Sequence, residues 1–121
     1  MTFAYSIEPR EGYLRAEMLG RESAEQTREF VEAIVAALLS RETPRLLISL
    51  RDSRPVFKVE EWNLSGSLEK VAGLPALKVA FVADTRELRL SQEYIALLAR
   101  QRGLAFQAFA QEKDALAWLL G

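Results

Sequence analysis

Three short apolar runs, each followed by a segment with helical spacing, limit what this chain can fold into. Leu46 to Leu50, Leu77 to Ala83 and Ala105 to Phe109 are rich in Leu, Val, Phe and Ala and only five to seven residues long. Such runs read as strands buried within a parallel sheet. Burial on both faces requires helices as cover, and parallel strands require crossovers between them. The chain therefore reads as α/β.

The remaining segments complete the pattern. Phe3, Tyr5 and Ile7 alternate with smaller or polar residues, Arg10-Glu11-Gly12 carries turn chemistry, and Tyr13 to Leu19 repeats the alternation, which predicts an opening hairpin. Gly20 ends it. Ser23 and Gln26 stand at capping-box spacing and open a helix with Phe30, Val31, Ile34, Val35, Leu38 and Leu39 on its apolar face. Thr43-Pro44 closes that helix, and Arg51 to Pro55 forms a polar loop after the central strand.

Lys58 to Ala72 reads as a weaker helix with Leu64, Leu68 and Val71 on one face, interrupted by Ser65-Gly66-Ser67. Leu88 to Arg102 is a further helix, with Tyr94, Leu97 and Leu98 as its stripe and Gly103 at its end. Glu112 to Leu120 is the last, with Ala115, Leu116 and Leu119 inward. The expected order is β-β-α-β-α-β-α-β-α: a mixed sheet with helices packed on it, in a single domain spanning residues 1–121.

Composition narrows the function. Cysteine and histidine are both absent. That removes thiolate nucleophiles, iron-sulfur clusters, the usual zinc ligands and the commonest general base near neutral pH. No metal, cofactor or catalytic residue is expected, and the chain reads as a non-enzyme. Sixteen Lys plus Arg against 17 Asp plus Glu give a formal net charge of -1, too weak a field to point to nucleic acid. No apolar run reaches the ~18 residues of a membrane span, and the N-terminus lacks signal-peptide character, so the expected location is the cytoplasm.

Arg45-Leu46-Leu47-Ile48-Ser49-Leu50-Arg51 as central strand, Lys78-Val79-Ala80-Phe81-Val82-Ala83-Asp84 as the next, and Phe106-Gln107-Ala108-Phe109 leading into Asp114-Ala115-Leu116-Ala117-Trp118-Leu119 carry a family likeness. With the opening hairpin, this order resembles the STAS superfamily, named for sulphate transporters and anti-sigma-factor antagonists, and within it the SpoIIAA-like branch. The resemblance covers essentially the whole chain. It implies a cytoplasmic regulatory module that binds an unidentified protein, or alternatively a carrier or sensor of a small apolar, lipid-like ligand, as in CRAL-TRIO-related proteins. Regulatory STAS domains carry a phosphorylated serine in an Asp-Ser pair after the central strand. Asp52-Ser53 stands in that region, which implies Ser53 as a phosphorylation site.

Two further candidates come from placement. Arg51 and Arg54 follow one parallel strand and Arg86 and Arg89 follow the next, at carboxyl ends where open α/β sheets bind ligands. With Lys58 they form a candidate anion-receptive or partner rim, which Asp52, Asp84 and Glu87 could neutralise. Val56, Phe57, Val59 and Trp62 could line an apolar pocket over the sheet. Asp84 reads as a strand-end carboxylate or as a cap for the following helix, and Trp118 as core.

Overall fold

The computed structural model describes residues 3–41, 44–53, 64–71 and 73–121. Strands β1 (Ala4–Arg10) and β2 (Tyr13–Leu19) form the opening hairpin. Helix α1 (Ala24–Arg41) leads to β3 (Arg45–Arg51), α2 (Leu64–Val71) to β4 (Lys78–Ala83), α3 (Arg86–Arg100) to β5 (Ala105–Phe109), and α4 (Glu112–Leu120) ends the chain. The element order is the one expected. The sheet runs β1-β2-β3-β4-β5, with β1 antiparallel to β2 and the other neighbours parallel.

This sequential order decides where the helices go. Each crossover from β2 to β5 steps to the next strand in the same direction, so crossovers of one hand place α1, α2 and α3 on a single face. The packing follows suit. Leu14, Ala16 and Met18 of β2 join Phe30, Ile34 and Leu38 of α1, Val71 of α2, and Leu88, Ala96 and Ala99 of α3 in one core. The opposite face has only α4, whose Ala115 and Leu119 close over Leu47, Ala80 and Val82. Alternate residues of β3 and β4 thus enter different cores, which is why Leu46-Leu47-Ile48 and Val79 to Ala83 are unbroken apolar runs.

Local chemistry fixes the helix registers. The Ser23 hydroxyl accepts from the Gln26 N–H at 3.3 Å, while Gln26 Oε1 accepts from the Glu22 N–H at 2.6 Å, one residue earlier than an ideal capping box. Gly12 (φ 86°) turns the hairpin and Gly103 (φ 81°) leaves α3, both in the left-handed region glycine adopts without cost.

Several side chains depart from the expected faces. Helix α3 starts at Arg86 because Thr85, not Asp84, is its cap, its hydroxyl accepting from the Leu88 N–H at 3.2 Å. From that start the helix turns Leu88, Ser91, Gln92, Ala96 and Ala99 inward. Tyr94 and Leu97 of the expected stripe are exposed, as is Leu90, and Leu98 is half-buried. Leu39 of α1 is exposed too, one position beyond the buried row that ends at Leu38. Trp118 is half-buried, with its ring 5.6 Å from that of Phe109.

Candidate functional site

Parallel pairing brings the carboxyl ends of β2, β3 and β4 together, and polar contacts stitch them. The Arg51 carbonyl accepts from the Gly20 N–H at 3.3 Å and from the Ser53 hydroxyl at 2.9 Å. Ser53 Oγ in turn accepts from the Arg21 N–H at 3.2 Å, so one half-buried hydroxyl clasps the exits of β2 and β3. On the other side, the Asp52 N–H donates to Asp84 Oδ2 at 3.1 Å, joining β3 to β4. Asp52 itself is left-handed (φ 48°), a conformation that Asp tolerates better than most residues.

Three of the predicted rim residues are described near this clasp. Arg51 and Arg86 are exposed and Arg89 is half-buried at the first turns of α3. Among the described residues none of the three forms an ion pair, so the expected neutralisation by Asp52, Asp84 and Glu87 takes no direct form there. Arg54 and Lys58 lie outside the described residues, as do Val56, Phe57, Val59 and Trp62 of the expected apolar pocket.

Among the described residues, a different set of side chains lines a cavity beneath the rim. A partly open cavity of about 90 Å³ lies between α1, α2, α3 and the sheet. Its walls include Phe30, Ile34 and Leu38 of α1, Leu46 and Leu50 of β3, and Phe81 of β4. Among the described residues, Arg21, Thr27 and Gln92 interrupt this apolar lining. All three gather toward the carboxyl ends of the strands. Arg21 follows β2, Thr27 is in the first turns of α1, and Gln92 Nε2 donates to the carbonyl of Val82, near the end of β4, at 2.9 Å. The opposite end of the cavity, by Leu38, Leu46 and Leu77, is hydrocarbon.

Arg21 is 4 % exposed, and its Nη1 donates to the Thr27 hydroxyl at 3.3 Å. Burial disfavours its charged form and lowers its pKa to about 10, which still leaves it protonated at neutral pH. Arg21 therefore belongs to both places: its backbone holds Ser53 and its side chain lines the cavity. Nothing in the sequence marks it, since an arginine between Gly20 and a helix cap reads as an exposed loop residue.

On the α4 face, Arg15 bridges Glu112 at 2.9 Å and Glu17 at 3.2 Å, and Ser49 donates to Glu17 at 3.3 Å. These two carboxylates raise the Arg15 pKa above its ordinary value, the Glu112 hydrogen bond most, so the cluster locks a permanent charge in place. It straps α4 to β2.

No protein-family model matches the sequence, and no curated protein matches it either. The fold has a close counterpart among solved structures. An anti-sigma factor antagonist from Mycobacterium paratuberculosis superposes with a TM-score of 0.66 at 18% identity, covering 99% of this chain and 96% of that one. The likeness spans nearly all of both chains, so the expected mixed α/β sheet with helices packed on it is the observed architecture, and this antagonist shares it. No helix among the described residues is long and apolar enough to cross a membrane.

Proposed function

We propose that this domain is a non-enzymatic cytoplasmic regulator that acts by binding another protein through the rim at the carboxyl ends of β2, β3 and β4. The observation that supports this most is the end-to-end structural likeness to an anti-sigma factor antagonist. The rim agrees with it. Arg51, Arg86 and Arg89, with Arg54 and Lys58 from the adjoining sequence, offer positive charge with no internal ion pair among the described residues. An acidic surface on a partner is the complement that would be steered there.

Ser53 is the natural switch in this reading, for a reason visible in its contacts. Its hydroxyl donates to the Arg51 carbonyl and accepts from the Arg21 N–H. A phosphate ester keeps no proton on that oxygen, so the bond to Arg51 is lost as roughly two negative charges arrive. The clasp then opens or turns toward the arginines, and an acidic partner is repelled. The test compares Ser53-phosphorylated protein with the Ser53→Ala variant for binding to the partner recovered from the native cells, at low and high salt. Phosphorylation should weaken binding at least tenfold at low salt, with a smaller difference at high salt. Equal affinities for the two forms, or unphosphorylated Ser53 in cells, would remove the switch.

A further inference from the structure

Helix α3 presents a seam to solvent. Arg86, Leu90, Glu93, Leu97 and Arg100 follow one another at intervals of four, three, four and three residues, the spacing by which paired helices meet. All five are exposed, Leu90 at 46% and Leu97 at 45%, and Tyr94, exposed beside them, widens the apolar stripe. The inward face of the same helix is complete without them, since Leu88, Ala96 and Ala99 fill its place in the core. A surface helix ordinarily keeps polar residues on its outer face. The charges of the seam are also unspent. Among the described residues neither Glu93 nor Arg100 forms an ion pair, and the two lie ~10.5 Å apart along the helix axis at ~1.5 Å per residue, too far to satisfy each other.

We propose that this face of α3 is the interface of a homodimer, in which a second copy of the chain packs its own α3 antiparallel across the seam. The charges select both the occupant and the register. About a two-fold axis at the level of Ala96 and Leu97, Glu93 of each copy stands opposite Arg100 of the other, and the two Leu97 side chains meet at the centre. A two-fold contact requires such self-complementarity, because every pairing is made twice. Other registers lose it. A parallel pair sets Glu93 against Glu93 and Arg100 against Arg100, and an antiparallel pair that matches Leu90 with Leu97 brings the two Glu93 carboxylates together. In the favoured register Leu90 reaches the level of Gly103 and Leu104 of the second copy, where glycine has no side chain to hold the chains apart and Leu104 is half-buried.

The contact joins helices rather than sheet edges. Arg100 Nη1 donates to the Phe106 carbonyl at 2.9 Å, and the Phe106 N–H donates to the Leu104 carbonyl at 3.2 Å, so both polar groups of Phe106 are occupied and β5 is partly closed to a sixth strand. The remaining N–H groups of the Arg100 guanidinium are left for Glu93 of the second copy. Glu93 and Arg100 also border an open groove with Ala96, Gln107 and Ala108, which gives the opposing side chains room. The amino end of each α3, with Arg86, extends beyond the carboxyl end of the other helix, so the two rims lie at opposite ends of the pair.

The experiment is sedimentation equilibrium of the whole chain over a range of concentrations, for the parent and for Glu93→Arg, Arg100→Glu and Leu97→Glu. The parent should pass from one chain to two as concentration rises. Each variant should dissociate at least tenfold more readily, because each sets like charges against one another across the two-fold axis. The mixture of Glu93→Arg with Arg100→Glu is the decisive sample. In a mixed pair both positions carry opposite charges again, and association should return to within about threefold of the parent. Arg100→Glu also gives up the bond to the Phe106 carbonyl, so its thermal unfolding is recorded alongside. Should it fail to fold, Glu93→Arg and Leu97→Glu, both at exposed positions, carry the test. A parent that stays a single chain at every concentration, a dimer that survives both Glu93→Arg and Leu97→Glu, or folded charge variants whose mixture associates no better than either alone would each overturn the proposal.

Discussion

The two ends of the parallel strands treat the same kind of side chain in opposite ways. At the amino end of β4, Lys78 is held by its backbone N–H, which donates to Pro44 at 2.7 Å, and by Nζ, which donates to the Trp118 carbonyl at 3.0 Å. Its ammonium also lies 4.7 Å from the centre of the Trp118 ring. At the carboxyl end of the neighbouring β3, Arg51 is exposed and forms no ion pair among the described residues. One cation is spent on fastening α4 to the sheet; the other is left in solvent beside a strained Asp52 and a clasp made of single hydrogen bonds. Stability and availability are divided between the ends, as expected where a rigid scaffold carries a binding edge.

Substitutions at the fastened end should therefore cost stability, and those at the open end should not. The largest effect is expected for Trp118→Ala, which removes the packing on Phe109 and the ring beneath Lys78. A loss of about 2–3 kcal/mol in denaturant unfolding is expected, below the range for a fully buried tryptophan because the side chain is half-buried. Lys78→Met keeps the aliphatic stem but loses the bond to the Trp118 carbonyl and the cation over the ring. It should cost about 1 kcal/mol.

At the other end, Asp52→Gly should raise stability by roughly 0.5 kcal/mol, because glycine takes the left-handed conformation without the steric cost of a Cβ. A loss there would mean that the Asp52 side chain holds the rim in place. The smallest effect belongs to the Arg51→Glu, Arg89→Glu double variant, whose midpoint should stay within about 0.5 kcal/mol of the parent. A drop comparable to that of Trp118→Ala would erase the distinction between the ends.

The sequence carried most of the fold and less of the site, and the reasons differ by element. Hydrophobic period and turn residues are local signals, so the hairpin, the apolar β3 and β4, and the capping pair at Ser23 could be read directly. Helix α3 shows where that reading fails. Tyr94 and Leu97 form a convincing stripe, yet Thr85 caps the helix and Gln92 bonds to β4, and together they turn Ser91, Gln92 and Ala99 to the sheet. Large apolar residues mark a stripe without saying which side of the helix meets the core. The positions of Arg51, Arg86 and Arg89 were legible because strand ends are, whereas the burial of Arg21 and Gln92 arises from how the helices meet the sheet. No window of sequence contains that information.

The claim that the open end is the working surface is tested most directly by charge reversal read as partner affinity. The partner recovered from native cells would be titrated against the parent protein, the Arg51→Glu, Arg89→Glu variant, and Arg10→Glu as a control. Arg10 lies at the amino end of the sheet, where it forms only an exposed ion pair with Glu8 at 3.0 Å, and such pairs contribute little. The account predicts at least a tenfold loss of affinity for the rim variant, with unchanged thermal stability, and no change for Arg10→Glu. Parent-like affinity in the rim variant, or an equal loss in the control, would contradict it.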